Sequence, residues 1–509
     1  MAHDDGIAEF GRRTAAALAM GGPDRLARRR SNGLLNARER IEAFLDAGSW
    51  VEEGRYAVSA NPADRDTTPQ DGQIHGFGKA GGRMVAVAAN DLTVKSASSA
   101  EINSRKARWL LRTAVRTGVP LVHFGACGGA RMPDAQGARG MAVFGNELSY
   151  DRRRRIPMIS AVADPSFGGS FWMVCRSDIV VMRKGAIMAV ASPKVNRVAI
   201  SEASDWAEIG GWEMHTEVTG IADLAVDTED EMFDAVRRYL SYLPSHQNEA
   251  PPVAAVTPGS GDEMASILDI VPESRAKVYD VRRVIRAVFD KDSFMPLRER
   301  YGKSCVTGFA RLDGKPVAVA ACNPIFKGGS QDDKSIDKYT NLLVLADSFN
   351  LPVVILADTP GFLIGIEGER AKVGARIMNN LQALELTTVP KIGVILRKSY
   401  GQAYLNFGGG TTDELAAWFS ADIGFVDPNV GVSVVHNLTY EQDPERYKRL
   451  AAEMARDSSA YDLAGMFAAQ HVIDPRHTRE YLIRALEIHH RRREGGIGQH
   501  LMAAWPRVT

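Results

Sequence analysis

Four stretches of the chain are apolar with no polar alternation: "VPLVHF" (119–124), "PMISAVA" (157–163), "PVVILA" (352–357) and "KIGVIL" (391–396). A strand covered on both faces reads this way, because neither side of its pleat meets water. Between them lie amphipathic patterns such as "EINSRKARWLLRTAVRT" (101–117) and "SIDKYTNLLVLADSF" (335–349), which predict helices. Upstream of each helix, "GFGKAGGRMVAVAAN" (76–90) and "GFARLDGKPVAVAAC" (308–322) read as hairpins, two strands joined by a glycine-bearing turn. Strands alternating with helices predict parallel pairing through right-handed crossovers.

The pattern occurs twice. "TGVPLVHFGACGGARM" (117–132) matches "FNLPVVILADTPGFLI" (349–364), and "RIPMISAVADPSFGGSFW" (155–172) matches "TVPKIGVILRKSYGQAYL" (388–405). "RIEAFLDAGSWVE" (40–52) likewise resembles "VIRAVFDKDSFMP" (284–296), a helix, a turn and an aromatic. The hairpins and the two strand pairs keep an offset of 232 to 233 residues. The fold class expected is therefore α/β, two tandem domains related by an internal repeat, over 1–245 and 265–509. "YLPSHQNEAPPVAAVTPGSGDE" (242–263), rich in Pro, Gly and Ser, reads as the linker.

Composition narrows the function. Lys+Arg and Asp+Glu both number 62, so the basic surplus that bulk nucleic-acid binding needs is missing. No apolar run approaches the ~18 residues of a membrane span, and "MAHDDGIAEFGRRT" lacks the apolar core of a signal peptide. Cys127, Cys175, Cys305 and Cys322 are scattered, without CxxC spacing, so no zinc site is expected. A cytoplasmic location with reduced thiols is the expectation.

The chemistry is expected at the turns. Each repeat ends two neighbouring strands in glycine-bearing turns, Gly128–Gly129 and Gly168–Gly169 in the first, Gly361 and Gly401 in the second. Such turns at helix starts leave backbone N–H groups without partners. Two on adjacent strands can aim two donors at one oxygen, an oxyanion hole. No Ser-His-Asp or Cys-His pattern and no Walker spacing competes with this reading. His215, in "EMHTEVTG", reads as a packed, hydrogen-bonded histidine.

Taken in order, "ARERIEAFLDAGSW", "GGARM", "GGWEMHTEVTGIAD", "VTGFARLDGKPVAVAACNP", "LPVVILADTPGFLIG", "TVPKIGVILRKSYGQAY" and "AAWFSADIGFVDP" carry a resemblance over nearly the whole chain. It resembles the carboxyltransferase β subunits of biotin-dependent acyl-CoA carboxylases, of the propionyl-CoA carboxylase kind. The resemblance implies two crotonase-like domains, the first binding acyl-CoA and the second carboxybiotin carried by a biotin carboxylase/biotin carrier α subunit. It also implies a homohexamer with sites shared between protomers, and two oxyanion holes, one for the thioester enolate and one for the ureido oxygen. By resemblance the first hole draws on Gly129, Ala130, Gly168 and Gly169, the second on Gly361, Phe362, Gln402 and Ala403. CoA phosphates are expected on Arg105 and Lys106 of "SRKARWLLR" and on Arg152, Arg153, Arg154 and Arg155 of "DRRRR"; Leu405 is expected to bear on acyl-chain selectivity.

Three departures stand out. Gln402 replaces the family's glycine beside the biotin hole; Ser96-Ala97-Ser98 replaces Gly-Gly-Ser; and "LNFGGGTTDEL" follows Tyr404. They suggest an unusual substrate or a divergent reaction. Two further readings share the fold: the carboxyltransferase subunit of an acyl-CoA decarboxylase, and a biotin-independent or noncatalytic paralogue.

Overall fold

The computed structural model describes residues 3–138, 140–142 and 153–508. Its contacts divide the chain into two units, Met1–Ser241 and Tyr242–Thr509.

The first unit is built on one mixed sheet: β1 (Val51–Glu53), β2 (Gln73–Ala80), β3 (Arg83–Asn90), β4 (Leu121–Cys127), β5 (Met158–Phe167), β6 (Ile179–Arg183), β7 (Ile187–Ala189) and β8 (Leu224–Val226). Their order is β1-β2-β3-β4-β5-β6-β8, with β7 on the end of β5. The expected hairpin is β2–β3, antiparallel, and β3, β4, β5 and β6 then run parallel. β4 is buried along its whole length, as its unbroken apolar run requires. Its pleat sends neighbours to opposite faces. Phe124 meets Phe44 and Phe233 edge-on, at 5.5 and 5.6 Å between ring centroids, whereas His123 bonds Ser160. Phe44 ends the helix Ala37–Phe44, which starts on an Asn36–Glu39 capping box.

The second unit repeats the plan with β9 (Met295–Leu297), β10 (Cys305–Leu312), β11 (Lys315–Cys322), β12 (Val353–Thr359), β13 (Lys391–Tyr400), β14 (Glu414–Trp418), β15 (Asp422–Gly424) and β16 (His471–Ile473). Their order, β9-β10-β11-β12-β13-β14-β16 with β15 on β13, is that of the first unit. Even the registers coincide at the offset read from the sequence. Ala86 pairs Leu121 and Ala318 pairs Val353; beyond an irregularity in each sheet, Cys127 pairs Ser166 and Thr359 pairs Ser399.

The stretch expected to be a linker is not a free tether. The helix Glu229–Tyr242 takes its start, and the rest lies against the second unit. The Ala254 N–H donates to the Gly314 carbonyl at 3.0 Å, and a β-carbon on Gly314 would fall 2.1 Å from the Ala254 oxygen. Proline and glycine richness here marks a strap docked on a hairpin turn.

Candidate active site at the paired turns

The irregularity at the end of β4 is where the first turn forms. The Ser99 N–H donates to the Gly129 carbonyl (2.9 Å) and the Arg131 N–H to the Ser99 carbonyl (2.8 Å), so Ala130 is held between two fixed peptides. Gly129's own N–H is taken by Cys127 Sγ at 3.2 Å. Among the described residues the Ala130 N–H has no acceptor. At the end of β5, Gly168 (φ 59°, ψ −122°) turns the chain into the helix Gly169–Arg176. Such backbone is open only to glycine, and the helix start leaves the Gly169 N–H without an intrahelical acceptor. The turns face each other: a β-carbon on Gly168 would lie 3.9 Å from Gly129 Cα.

The second unit makes the same arrangement with other anchors. The Gln331 N–H donates to the Gly361 carbonyl (3.0 Å), the Leu363 N–H donates to the Gln331 carbonyl (2.8 Å), and Phe362 sits between. Gly361's N–H goes to Thr359 Oγ1 at 3.2 Å. Gly401 (φ 61°, ψ −146°) starts the helix Gln402–Asn406. Each unit therefore sets two backbone N–H groups at adjacent strand ends: Ala130 with Gly169, and Phe362 with Gln402. Gly129, Gly168, Gly361 and Gly401 shape the turns; Ala403 is buried one residue further into its helix.

Gln402 occupies Gly169's place without disturbing the turn. A β-carbon at 169 would come 2.9 Å from Ser99 Oγ. At the matching place in the second unit the Gln331 side chain is drawn away, its Nε2 donating to the Ser304 and Gly329 carbonyls at 3.0 and 2.8 Å. A side chain at 402 is thereby admitted, and it is exposed.

The Ser96-Ala97-Ser98 departure has a conformational consequence. Lys95, Ser96 and Ala97 carry φ of 45°, 55° and 48°, the left-handed region in three successive L-residues. Their counterparts are Lys327, Gly328 and Gly329, at 51°, 61° and 89°. Each left-handed non-glycine residue costs about 1–2 kcal/mol. A buried polar brace holds the first loop in this shape. Asn103 Nδ2 donates to the Ser98 and Asp71 carbonyls (2.9 and 3.0 Å), and Arg131 pairs with Asp71 at 2.5 Å. Burial raises the Asp71 pKa, with Arg131 partly offsetting it. Nothing in the local sequence marks Asp71 or Asn103 for this role.

The expected phosphate cations divide. Lys106 is a correction: its Nζ donates to the Gln70 and Gln73 carbonyls (3.0 and 2.5 Å), and burial lowers its pKa to about 8. Arg154 is another: it is 2% exposed and its Nε bonds Asp178 at 3.0 Å, so it braces β5 from within. Arg105 pairs with Glu101 on the exposed helix face, Arg153 and Arg155 are exposed, and Arg152 lies outside the described residues. Leu405 stands half-exposed beside Gly410. His215 is the packed histidine expected, bonded to the Met188 carbonyl at 2.7 Å and Thr219 Oγ1 at 3.1 Å.

A cleft of about 400 Å³ escaped the sequence reading. Arg25, Arg28 and Arg29 of the helix Pro23–Ser31 line it, together with Thr93, Lys95 and Ser96. It adjoins the left-handed loop that supports the first turn. The only local signal was the run "RLARRRS", which reads equally as a solvated helix face.

The chain is similar to known proteins along nearly its whole length. The carboxyl transferase domain family matches residues 28–500. The propionyl-CoA carboxylase carboxyltransferase subunit of Haloferax mediterranei is 32% identical over 505 residues, covering 96% of each chain. The methylmalonyl-CoA carboxyltransferase 12S subunit of Propionibacterium freudenreichii subsp. shermanii is 31% identical, covering 94% of this chain and 92% of its own. Among solved structures, a transcarboxylase 12S hexamer with methylmalonyl-coenzyme A bound superposes with a TM-score of 0.87 at 29% identity, over 96% of both chains.

Proposed function

The chain belongs to the carboxyl transferase domain family, with two crotonase-like domains, and from that premise we propose that it moves a carboxyl group between carboxybiotin, borne by a separate biotin-carrying polypeptide, and the α-carbon of an acyl-CoA. The observation that carries this reading is the duplicated pair of backbone donors, Ala130 with Gly169 and Phe362 with Gln402. The relatives favour carboxyl transfer over the decarboxylase and noncatalytic readings.

Carboxybiotin supplies an activated CO2 equivalent; the chain's own part is to hold charge. Removing the α proton of a thioester places negative charge on its carbonyl oxygen. The Ala130 and Gly169 N–H groups, fixed before reaction by the Ser99 bridge and the Gly168 turn, are set to receive it. The Phe362 and Gln402 N–H groups serve the ureido oxygen in the same way. Loss of one such donor costs about 10²–10³-fold in rate elsewhere. No nucleophilic side chain is required. CoA phosphates are assigned to the cleft of Arg25, Arg28 and Lys95 beside the first turn, where guanidinium forks suit phosphate oxygens.

A ring-like homohexamer, with each site shared between protomers, is part of this reading. Its support is the exposed apolar surface of the second unit, where Phe425 is 91%, Met466 80% and Phe467 75% exposed. Side chains of this size are normally covered. The absence of any helix long and apolar enough to cross a membrane among the described residues, and free cysteines, accord with a cytoplasmic site of action.

The test is label exchange. The purified chain, given a ¹⁴C-carboxylated acyl-CoA and free biotin, should transfer label to biotin. Arg28→Glu should raise KM for the thioester about tenfold with kcat little changed. A folded protein that binds CoA but transfers no label overturns the reading.

A further inference from the structure

Fixing a peptide carbonyl also aims the N–H across the same bond, because the peptide unit is planar and no cis bond occurs among the described residues. The Ala130 N–H shares its peptide with the Gly129 carbonyl, and the Phe362 N–H shares its peptide with the Gly361 carbonyl. Whatever holds those two carbonyls therefore decides where the two donors point.

One grip on each is a backbone bridge, from the Ser99 N–H in the first unit and the Gln331 N–H in the second. The other grip comes from a side chain. Cys127 ends β4 and Thr359 ends β12, and each pairs beyond the irregularity with a serine of the neighbouring strand. Cys127 Sγ donates to the Gly129 carbonyl at 3.3 Å and accepts the Gly129 N–H at 3.2 Å. Thr359 Oγ1 repeats this at Gly361, donating to the carbonyl at 3.1 Å and accepting the N–H at 3.2 Å. A carbonyl oxygen has two lone pairs, and here both are taken. The peptide cannot turn without breaking two bonds.

The two anchors share a geometry and differ in chemistry. One is a thiol, a weak donor, and the other a hydroxyl. Ser99 Oγ lies 3.5 Å from the Cys127 sulfur, whereas the Thr359 hydroxyl also reaches the Gly329 carbonyl at 2.9 Å and so ties its turn to the left-handed loop. Cys127 is 1% exposed and Thr359 is fully buried, so water does not compete with either bond.

Resting on the function proposed above, we infer that Cys127 and Thr359 are positioning residues for the two oxyanion holes. Each locks the peptide whose N–H meets the developing charge, and neither takes part in binding the thioester. Donors stabilise a transition state best when they need no reorganisation at the moment of reaction, and small misplacements cost rate steeply. Removing an anchor should therefore slow transfer and leave thioester affinity alone.

Label exchange and hydrogen–deuterium exchange on the same purified full-length proteins test this. Cys127→Ala should lower kcat about tenfold with KM for the thioester within about twofold. It should also add about one fast-exchanging amide between residues 127 and 131, because the Gly129 N–H loses its acceptor. Cys127→Ser restores a donor and an acceptor, and should bring kcat back to within about threefold of wild type and recover the protection. Thr359→Val keeps the side chain's shape and removes only the hydroxyl, so it puts the same question to the second unit without opening a cavity; kcat should again fall about tenfold. A wild-type kcat in Cys127→Ala or in Thr359→Val overturns the inference. So does a serine variant no better than alanine in both rate and protection, which would leave the sulfur as packing alone. A wild-type protein that transfers no label overturns the proposed function instead, and amide protection in the Cys127 variants then decides the positioning role by itself.

Discussion

The two units share a backbone and divide on charge. Asp164 on β5 accepts from Arg29 and Arg40 (2.7 and 2.5 Å), and Arg40 also pairs with Glu229 at 2.5 Å. At the corresponding place on β13 stands Arg397, pairing at 3.0 Å with Asp358, which in turn replaces Ala126 on β4. Sheet order and register survive this inversion because they rest on peptide hydrogen bonds, indifferent to side-chain sign. The lesson is that the repeat conserves donor positions and leaves everything behind them free to specialise.

The largest effect should come from that inverted pair. Burial pushes the Asp164 pKa up, but Arg40 and Arg29 more than reverse it, so it lies below the ordinary value; burial raises Asp358, with Arg397 and Lys398 only partly offsetting it. A depressed carboxyl stabilises above its unfolded pKa, near 3.9, and loses this as the pH falls through its folded value. A raised carboxyl has the opposite sign: stability falls as the pH rises from the unfolded pKa through the folded one. Asp164→Asn should therefore cost about 3–5 kcal/mol at pH 7, shrinking below pH 4, and Asp358→Asn should cost less. Denaturation midpoints at pH 7 and 3.5 check this, and an Asp358→Asn cost equal to that of Asp164→Asn breaks the contrast.

Next comes one substitution at matched positions. Gly169→Val drives a β-carbon against Ser99 Oγ and should lower carboxyl transfer by about 10²–10³-fold. Gln402→Val, where a β-carbon is already admitted, should change it far less. Equal losses in the label-exchange assay would show that the two turns respond alike.

The supporting loops give a smaller, reciprocal test. Ser96→Gly should raise stability by about 1 kcal/mol by relieving a left-handed serine, whereas Gly328→Ala, at φ 61°, should lower it by about as much. Thermal melts of both variants measure the difference. The smallest effect belongs to Gln402→Gly: its side chain is exposed and its N–H is retained, so transfer to free biotin should stay within about threefold. A large loss would assign the glutamine side chain a part in the reaction.

Much of this was legible in the sequence. Apolar runs, glycine turns and a constant offset act through local sterics and peptide pairing, so they named the strands, the repeat and the four turns before any contact was known. The fate of individual cations was not legible. "SRKARWLLR" and "DRRRR" look uniformly basic, yet Lys106 caps buried carbonyls and Arg154 is sealed against Asp178. The segment 242–263 had a linker's composition, but contact with the Gly314 turn makes it part of the second unit.

The sequence by itself determined where backbone donors would be left over, because a glycine turn ending a buried strand leaves them in any surrounding. Only the tertiary structure decided what stands around them. His75, Ala88 and His123 come from three strands and are brought side by side through register alone, and the Arg25–Arg28–Lys95 cleft joins a helix to a loop nearly seventy residues away. Burial and charge are properties of such assembled neighbourhoods, and a linear pattern does not contain them.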